Sequence, residues 1–372
     1  MRILIFNWRD IKNPSSGGAE ILTHELAKRW VKWGHHVTLF ASLFEGGFSK
    51  ENVDGVEIIR KGNPDARHLF NSVHFLAYRE YEKNFKGKFD IVIDEVHGLP
   101  FFTPWYVKEK KIVLICEVAD DIWIKMFGGF FGYIGRITEI FYLRLVYKKI
   151  HFITISNSTK IDLVKNGVDR KNIKVLPMGI NRPKNVKVLK KENNPTIIFV
   201  GRLAKTKGVE DALLALSKLK RWNNDVKLWI VGRGNSEYEQ HLRDMVKKLS
   251  LENAVTFFGF VVENKKFELM SRAHALISPS FKEGFGLTIP EAGMVGTPAV
   301  VYNSPGLSEV VINHKTGLVC NKNTTEELFR NLVKLFENKK QYRTLRDGAI
   351  EQSRQYDWQK TANYFVRIIE NI

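Results

Sequence analysis

Short apolar runs alternate with amphipathic segments along most of the chain. In the first half, a helical pattern with apolar positions on one face follows the first apolar run, and Gly34 ends it. Strand, loop, helix and strand in this order predict the βαβ unit of a parallel sheet. The runs predicted as strands in this half are Arg2–Phe6, His36–Ala41, Phe89–Ile93, Ile112–Cys116 and Phe152–Ile155.

A polar, lysine-rich stretch at residues 181–194 interrupts the alternation and is predicted to be a linker. The alternation then restarts, with helices predicted after Gly208, Asn235, Asn264, Pro290 and Thr325. Strands are predicted at Thr196–Val200, Val226–Val231, Ala254–Phe257, Ala275–Ser278 and Ala299–Tyr302.

This organisation predicts two doubly wound α/β domains, residues 1–180 and 195–355, with a cleft between them. A final helical pattern at about 356–372 can cross back onto the first domain. The glycine-containing turns after the first strand of each half fall at the carboxyl ends of strands, where ligands of such sheets bind.

Composition and charge fit a globular protein of this kind. The 372 residues suit two domains, and 44% hydrophobic with 26% charged residues exclude a disordered chain. The first apolar run is too short for a signal peptide, and two cysteines argue against a disulfide framework, so we expect a cytoplasmic protein. The net charge of +18 favours anionic membranes, nucleic acids or anionic substrates as partners, or reflects solubility alone.

Two glutamates flank a glycine-rich insert in the second half of the chain. Glu283 lies in a loop, and Pro290, which favours the first position of a helix, places Glu291 on the first helical turn. Gly284 and Gly286 let the backbone approach a ligand closely. Carboxylates accept hydrogen bonds from sugar hydroxyls, and free N–H groups at a helix start suit phosphate, so the segment indicates a ligand such as a nucleotide sugar. A glycine turn before an ordinary amphipathic helix is the alternative.

A basic turn directly follows the predicted strand at Thr196–Val200. Within it, Arg202 can form a fork of hydrogen bonds to a diphosphate, and Lys207 can add a point charge. Neutralising a diphosphate leaving group is the main electrostatic need in sugar transfer. A solvated basic turn is the alternative, since the segment is neither a P-loop nor a full dinucleotide fingerprint.

These pieces occur in a fixed order along the chain, after Gly17-Gly18-Ala19-Glu20 at the end of the first strand. Together they resemble glycosyltransferase family 4, the retaining enzymes with the GT-B fold, and the resemblance covers nearly the whole chain. It implies two Rossmann-like domains that face a central cleft. Further matching pieces are Ile155-Ser156-Asn157-Ser158, Leu176-Pro177-Met178-Gly179-Ile180, Ile230-Val231-Gly232-Arg233-Gly234 and Thr256-Phe257-Phe258-Gly259.

The resemblance implies a role for each matching charged residue. Arg202 and Lys207 would hold the diphosphate of the donor. Glu291 would accept hydrogen bonds from the nucleotide ribose, and Glu283 would contact hydroxyls of the transferred sugar. Members of the family transfer with retention and need neither a protein nucleophile nor a metal ion, so no cofactor is expected beyond the nucleotide-diphosphate sugar.

The resemblance also implies contacts made by glycines and backbone. Gly17 and Gly18 would bring the first-domain backbone near the leaving phosphate and the acceptor. Segments near Gly232 and Phe258 would line the base. The backbone amides implied to bind sugar and phosphate are those of Gly284, Phe285, Gly286 and Leu287.

One predicted strand departs from the family pattern. Many relatives have a histidine at its end, beside the reacting sugar, where this chain has Cys116 followed by Glu117. A thiol cannot reproduce the hydrogen bond of an imidazole to a sugar hydroxyl. Either Glu117 or another group compensates, or activity is lower, or the register differs by one residue. His97 can also lie near the cleft, or be structural.

The segment from Met126 to Lys149 mixes aromatic and basic residues in the first domain, where this family binds acceptors. Such a mixture suits a lipid interface with anionic headgroups, whereas a buried helix with a basic end is the alternative. Its members are Phe127, Phe130, Phe131, Tyr133, Phe141, Tyr142 and Tyr147, with Arg136, Arg144, Lys148 and Lys149.

The sequence therefore predicts a cytoplasmic, metal-independent, retaining glycosyltransferase, peripheral on the inner face of the membrane, whose acceptor is a glycan or a lipid-linked glycan. A nucleotide-sugar epimerase would need acid and base groups on both faces of the sugar, and no convincing pair is evident. A degenerate non-catalytic subunit or binding module is the rival from another class. Nucleic-acid binding has only the net charge to support it.

Overall fold

Two compact units form the protein, each built around one sheet. Unit 1 comprises Met1–Gly179 together with Trp358–Ile372, and unit 2 comprises Ile180–Asp357. The computed structural model describes residues 1–120, 122–124, 128–183 and 187–372.

The sheet of unit 1 has the strand order β3-β4-β2-β1-β5-β6-β7-β8. Only the hairpin of β3 and β4 is antiparallel among the described pairs. Its strands are β1 (Arg2–Phe6), β2 (His36–Ala41), β3 (Lys50–Val53), β4 (Val56–Arg60), β5 (Ile91–Val96), β6 (Lys110–Ile115), β7 (His151–Thr154) and β8 (Ile173–Val175).

Helices connect these strands and cover the sheet, which is why the central strands β1 and β5 are buried along nearly their whole length. In β1, for instance, the side chains from Ile3 to Phe6 are all buried. The helices in this part are α1 (Gly18–Lys32), α2 (Val73–Glu80), α3 (Gly129–Phe141) and α4 (Asn157–Lys165).

The sheet of unit 2 has the order β11-β10-β9-β12-β13-β14, and all its described pairs are parallel. Its strands are β9 (Thr196–Val200), β10 (Lys227–Val231), β11 (Val255–Gly259), β12 (Ala275–Ser278), β13 (Ala299–Val301) and β14 (Gly317–Val319). Its helices are α5 (Val209–Trp222), α6 (Ser236–Lys248), α7 (Glu263–Arg272), α8 (Thr288–Met294), α9 (Leu307–Val310), α10 (Thr325–Glu337) and α11 (Lys339–Ser353).

The last helix, α12 (Trp358–Glu370), returns to unit 1 and packs on α1. The ring of Trp30 meets Phe365 edge to face at 5.1 Å between centroids, and its Nε1 donates a hydrogen bond to the carbonyl of Ala362 at 3.2 Å. Removing such a buried aromatic side chain costs about 3–5 kcal/mol of stability. The contact therefore fixes the end of the chain onto the first sheet.

The lysine-rich stretch predicted as a linker lies against unit 2 where it is described. Glu192 N donates to Arg272 O at 3.0 Å, and Leu189 N donates to Ser271 Oγ at 2.6 Å. Both partners belong to α7, so this segment is tied down before β9 begins.

The doubly wound α/β class is confirmed, and five expectations about elements need correction. Three short or edge strands, β3, β8 and β14, and the strand β4 beside β3 were not predicted. Polar residues fill β3, and it alternates between exposed and half-buried positions, so it lacks the apolar run on which strand prediction depends. The helix α8 begins at Thr288, so the prediction that Pro290 opens it is wrong, although Glu291 does lie in its first turn.

Candidate functional site

The strand order of unit 2 reverses between β9 and β12, which are neighbours at the centre of the sheet. In an open parallel sheet, the loops at such a reversal diverge and leave a crevice at the carboxyl edge, where ligands bind. Arg202 and Lys207 follow β9, and Glu283 and Glu291 follow β12. The topology thus brings the predicted cations and carboxylates to one place.

The loops after β9 and β12 are in direct contact. Lys207 Nζ lies 2.7 Å from Glu283 Oε2, and Ser280 Oγ donates to Glu283 Oε1 at 2.9 Å. The backbone of Phe281 donates to Thr206 O at 3.0 Å. Both Glu283 oxygens are therefore engaged, and the side chain is held in one orientation. Sequence reasoning missed Ser280, which precedes the recognised motif.

Two glycines allow this close approach. Gly208 has a φ of +69°, and a Cβ there would lie 2.1 Å from Pro279 O. Gly306 has a φ of +81°, and a Cβ there would lie 2.1 Å from Glu283 O. Any side chain at either position would push the loops apart, because carbonyl oxygens of the backbone cannot yield as flexible side chains do.

Unsatisfied donors face this region. Arg202 is exposed and has neither an ion pair nor a hydrogen bond within the described chain. The backbone N–H groups of Gly284, Phe285, Gly286 and Leu287 also make no hydrogen bond with described residues, and these residues are only half-buried. Backbone donors without partners are uncommon away from water or ligand. The sequence-predicted amide contacts are therefore available for an oxygen-rich ligand.

Glu291 differs from Glu283 in its burial. Its side chain is buried, one oxygen lies 2.8 Å from Lys266 Nζ, and the other, Oε2, is buried without a hydrogen-bond partner. Burial raises the pKa of this carboxyl, and the ammonium of Lys266 acts in the opposite direction. An unmade hydrogen bond at a buried carboxylate oxygen is costly, so a ligand donor such as a hydroxyl would be stabilising there.

Lys266 is a functional candidate that sequence reasoning missed. It lies in α7, inside the run Glu263-Asn264-Lys265-Lys266, where many lysines look alike in the sequence. Its only distinguishing signal is helical position, which places it beside α8. The structure brings Gly232 and Phe258 less directly into the site: Gly232 N donates to Gly259 O at 2.8 Å, and Phe258 lies within β11 against Trp229.

Unit 1 has a comparable reversal of strand order, between β1 and β5. Gly17 and Gly18 stand at the start of α1, which follows β1. The carboxylate of Glu20 accepts the N–H of Gly17 at 2.7 Å and the indole N–H of Trp8 at 3.1 Å. The glycine turn is thereby fixed by its own helix. Glu20 accepts a hydrogen bond from a backbone N–H at the start of α1 that has no partner within the helix.

A second buried carboxylate, Glu95, lies at the end of β5 and was not predicted. It accepts hydrogen bonds from Asn7 Nδ2 and Thr23 Oγ1, and its Oε2 lies 3.6 Å from His97 Nε2. Burial raises the pKa of Glu95, and the contacts with His97 and Thr23 lower it. The ring of His97 stacks on Trp8 at 5.4 Å between centroids.

Cys116 ends up beside this cluster, just after β6. Burial raises the pKa of its thiol well above the ordinary value, and the carboxylates Glu95, Glu20 and Glu117 act in the same direction. The thiol is therefore neutral, which is unfavourable for nucleophilic chemistry. Glu117 is half-buried. No group of three or more His, Cys, Asp or Glu side chains in the described ranges is arranged to hold a metal ion.

The aromatic and basic segment forms α3 and the turn after it, except that Met126 and Phe127 lie outside the described residues. Many of its large apolar side chains face solvent, with Phe130 and Phe131 75% and 73% exposed. Phe141, Tyr133, Ile134, Ile137 and Leu145 are exposed as well. No helix in the described part of the chain is long and apolar enough to cross a membrane.

Known structures share this architecture. Sucrose-phosphate synthase from Thermosynechococcus elongatus superposes with a TM-score of 0.82 at 18% identity, covering 100% of this chain and 98% of that one. Anabaena HepE, solved in complex with UDP-glucose, superposes with a TM-score of 0.78 at 16% identity, covering 100% of both chains. The fold is therefore GT-B, as the resemblance predicted.

Sequence relatives agree with the fold. A glycogen synthase of Mycobacterium tuberculosis is 31% identical over 216 residues, which is 58% of this chain but only 43% of that protein. An uncharacterized glycosyltransferase of Methanocaldococcus jannaschii is 27% identical over 340 residues, 86% of this chain and 84% of that protein. The family model for Glycosyltransferase Family 4 matches residues 16–183, and that for Glycosyl transferases group 1 matches residues 181–352. The two models follow one another along the chain, and the chain belongs to the glycosyltransferases that they describe, as the resemblance predicted.

Proposed function

We propose that this glycosyltransferase moves a sugar from a nucleotide-diphosphate donor to a glycan or lipid-linked glycan, with retention and without a metal ion. The observation that carries the proposal is the carboxyl edge of unit 2, where Arg202, Lys207, Glu283 and Glu291 converge at the strand reversal. A relative in fold was solved with UDP-glucose, which supports the same class of donor here.

Each group matches a part of such a donor. The exposed guanidinium of Arg202 and the ammonium of Lys207 suit the diphosphate, on which negative charge grows as the glycosidic bond breaks. The free amides from Gly284 to Leu287 add neutral donors. The unpartnered Oε2 of Glu291 suits the ribose hydroxyls.

Glu283 is better placed to orient a sugar than to attack it. Its two oxygens are engaged by Lys207 and Ser280, so it is an anchored acceptor for sugar hydroxyls and not a free nucleophile. Retention then follows if the departing phosphate helps to deprotonate the acceptor on the face that it leaves. Interactions that strengthen only as the diphosphate departs raise the turnover number directly.

A panel of nucleotide sugars tests the proposal. Thermal unfolding is followed with each candidate, because a ligand that binds the native state raises its apparent stability. The hits are then assayed for hydrolysis and transfer in the presence and absence of EDTA. We expect stabilisation by at least one nucleotide sugar and turnover that survives EDTA. Restoration by Mg²⁺ after loss in EDTA would refute metal independence, and binding without any turnover would favour the degenerate binding module.

The exposed face of α3 supports an anionic membrane surface as the place of reaction. Aromatic side chains on this face stand beside Arg144, Lys148 and Lys149, all of them exposed. Phe and Tyr rings enter the headgroup boundary of a bilayer, while cations pair with anionic lipids. A lipid-linked acceptor would then be presented to unit 1 in its own environment, and localisation on the inner face of the membrane follows from the cytoplasmic assignment.

A further inference from the structure

The reversal point of unit 1 holds an imidazole that has no evident structural duty. His97 directly follows β5, and its neighbour across the reversal is Trp8, the second residue after β1. Their rings stack nearly parallel, 5.4 Å between centroids and 14° between planes. On the same indole the guanidinium of Arg9 lies 4.1 Å from the ring centroid. The imidazole plane is therefore fixed at the edge where an open sheet binds its ligands.

A carboxylate faces one nitrogen of this imidazole. Glu95 is 2% exposed and accepts hydrogen bonds from Asn7, which directly follows β1, and from Thr23 of α1. Its Oε2 lies 3.6 Å from His97 Nε2, which is itself buried and has no closer partner in the described chain. At 3.6 Å this is an electrostatic contact and not a hydrogen bond, and the nearby carboxylate favours the tautomer with the proton on Nε2. The opposite nitrogen is then an acceptor.

That opposite nitrogen, Nδ1, is uncommitted. No hydrogen bond of this nitrogen to a described residue is present, and the side chain retains 15% exposure. Such an arrangement differs from the other His–carboxylate contact of the unit, in which His24 Nε2 lies 2.7 Å from Asp54 Oδ2 and ties α1 to the hairpin of β3 and β4. The pair of His24 and Asp54 joins two separate elements. His97 and Glu95, by contrast, lie two residues apart at the end of one strand, so their contact joins no elements.

We propose that His97 is a substrate-contacting residue whose Nδ1 accepts a hydrogen bond from a carbohydrate hydroxyl during transfer, and that Glu95 is the positioning residue that holds its ring. This proposal rests on the proposed function, since it assigns a role on the unit 1 side of the same reaction. The ligand class is a neutral sugar hydroxyl, for which an acceptor nitrogen suffices and no charge is required.

The strand register explains why His97 serves here and Cys116 does not. In the pairing of β5 with β6, Val96 is opposite Ile115, so His97 and Cys116 leave adjacent strands at the same level. The thiol of Cys116 is kept neutral by burial and by three carboxylates, and neutral sulfur is a weak acceptor. The imidazole one strand away is the stronger acceptor at this level of the sheet.

Three variants test the assignment with the full-length enzyme and the donor found by the panel: His97→Ala, Glu95→Gln and the double variant. We expect His97→Ala to lower kcat about threefold to tenfold or more, as for a lost hydrogen bond, with donor affinity by calorimetry unchanged. Added imidazole should restore part of the loss. Glu95→Gln should lower kcat less, and the double variant should be no slower than His97→Ala, because Glu95 acts only through His97. His24→Gln is the matched control and should leave kcat unchanged.

The outcomes separate this proposal from the function on which it depends. If no nucleotide sugar stabilises or is turned over by the wild type, the proposed function fails. If the wild type transfers sugar and His97→Ala stays within twofold of it, the function stands and the role of His97 falls. If His97→Ala loses activity, imidazole restores none, and Glu95→Gln adds a further loss in the double variant, both residues are structural and the proposal is overturned.

Discussion

The carboxyl edges of the two sheets differ in charge and in burial. Unit 2 presents an exposed arginine and a half-buried lysine, Arg202 and Lys207, beside backbone donors without partners. Unit 1 presents Glu20 and Glu95, which are buried and already hydrogen-bonded within their own unit. Of the two described edges, that of unit 2 combines an exposed cation with free backbone donors, whereas the guanidinium of Arg9 in unit 1 lies over the ring of Trp8. The difference suits a reaction in which one partner is a polyanion and the other offers neutral hydroxyls.

The same difference has an energetic consequence. Exposed cations lose little when substituted, so their variants should fold and report on function. Buried carboxylates held by two or more donors belong to networks in which an unsatisfied partner is costly. Variants of unit 1 therefore need controls for stability, as does Lys207→Ala because of its ion pair with Glu283, whereas Arg202→Ala tests the chemistry directly.

The largest expected effect comes from removing the cations of unit 2. Arg202→Ala and Lys207→Ala should each lower turnover by about 10²–10³, the range for deleting one group that stabilises charge in a transition state. Arg202→Ala should keep the unfolding temperature of the wild type, and the unfolding temperature of Lys207→Ala is measured alongside because Lys207 pairs with Glu283. Lys205→Ala, an exposed lysine in the same turn, is the control. Turnover of both variants within twofold of the wild type would end the diphosphate role and with it the contrast between the units.

Membrane binding should depend on the positive charges of unit 1 and not on those of unit 2. Each Lys or Arg near an anionic surface contributes about 1 kcal/mol at best, and salt screens this contribution. The protein should therefore co-sediment with anionic vesicles at low salt and be released at high salt. The variant that should lose this binding by about tenfold or more, with donor affinity unchanged, combines Arg136→Gln, Arg144→Gln, Lys148→Gln and Lys149→Gln.

A control with the same loss of charge comes from unit 2, with glutamine at Lys247, Lys248, Lys339 and Lys340. If both quadruple variants release equally from vesicles, the charge acts over the whole surface and α3 has no special part. A wild type that ignores anionic vesicles at low salt would make a soluble acceptor the better assignment.

The strands with the clearest apolar runs were predictable to the residue. The bounds of β1, β2, β9 and β12 agree with the prediction, because strands covered by helices on both faces read as continuous apolar runs. The prediction for β5 ended at Ile93, since Asp94 and Glu95 resemble the start of a loop. Both are buried, and Asp94 accepts hydrogen bonds from Thr103 and Phe101. Partners distant in sequence satisfy these carboxylates, and no local pattern reveals them.

The residues of the candidate site also divide into those that the sequence predicted and those that it did not. Lys207 and Glu283 were predictable because glycines mark the close approach of their loops. Glu291 was placed correctly on a first helical turn although the helix begins before Pro290. Lys266 was not predictable, since the sequence gives it the same neighbours as Lys265, and only the packing of α7 on α8 separates them. The roles of all these residues toward a donor stay predictions.

A smaller effect is expected at Glu291. Glu291→Ala should weaken donor binding about tenfold or more, since a hydrogen bond to a charged group is worth about 1.5–3 kcal/mol, and should slow the chemical step less. Calorimetry with the donor measures the loss. Glu268→Ala, which removes a half-buried carboxylate paired with Lys265, is the control. Equal donor affinity in Glu291→Ala and the wild type would remove the ribose assignment.

The smallest effect, and the most specific, concerns Lys266. Burial raises the pKa of Glu291 and Lys266 opposes this, so Lys266→Met should raise that pKa further. Donor binding needs the carboxylate, hence as the pH is lowered the affinity of Lys266→Met should begin to fall at a higher pH than that of the wild type.

The stability of Lys266→Met should change with pH in the opposite direction to its donor affinity. A carboxyl whose folded pKa is raised stabilises the fold most below its ordinary pKa, and that stability is lost as pH rises through the folded value. Lys266→Met should therefore lose unfolding temperature, relative to the wild type, on the alkaline side, while it loses donor affinity on the acidic side. The exposed neighbour Lys265 provides the control, since Lys265→Met removes the same charge from the same helix without contact to Glu291. Parallel pH profiles for the two variants would mean that Lys266 acts only as part of the general positive charge of α7, and that Glu291 is tuned by burial alone.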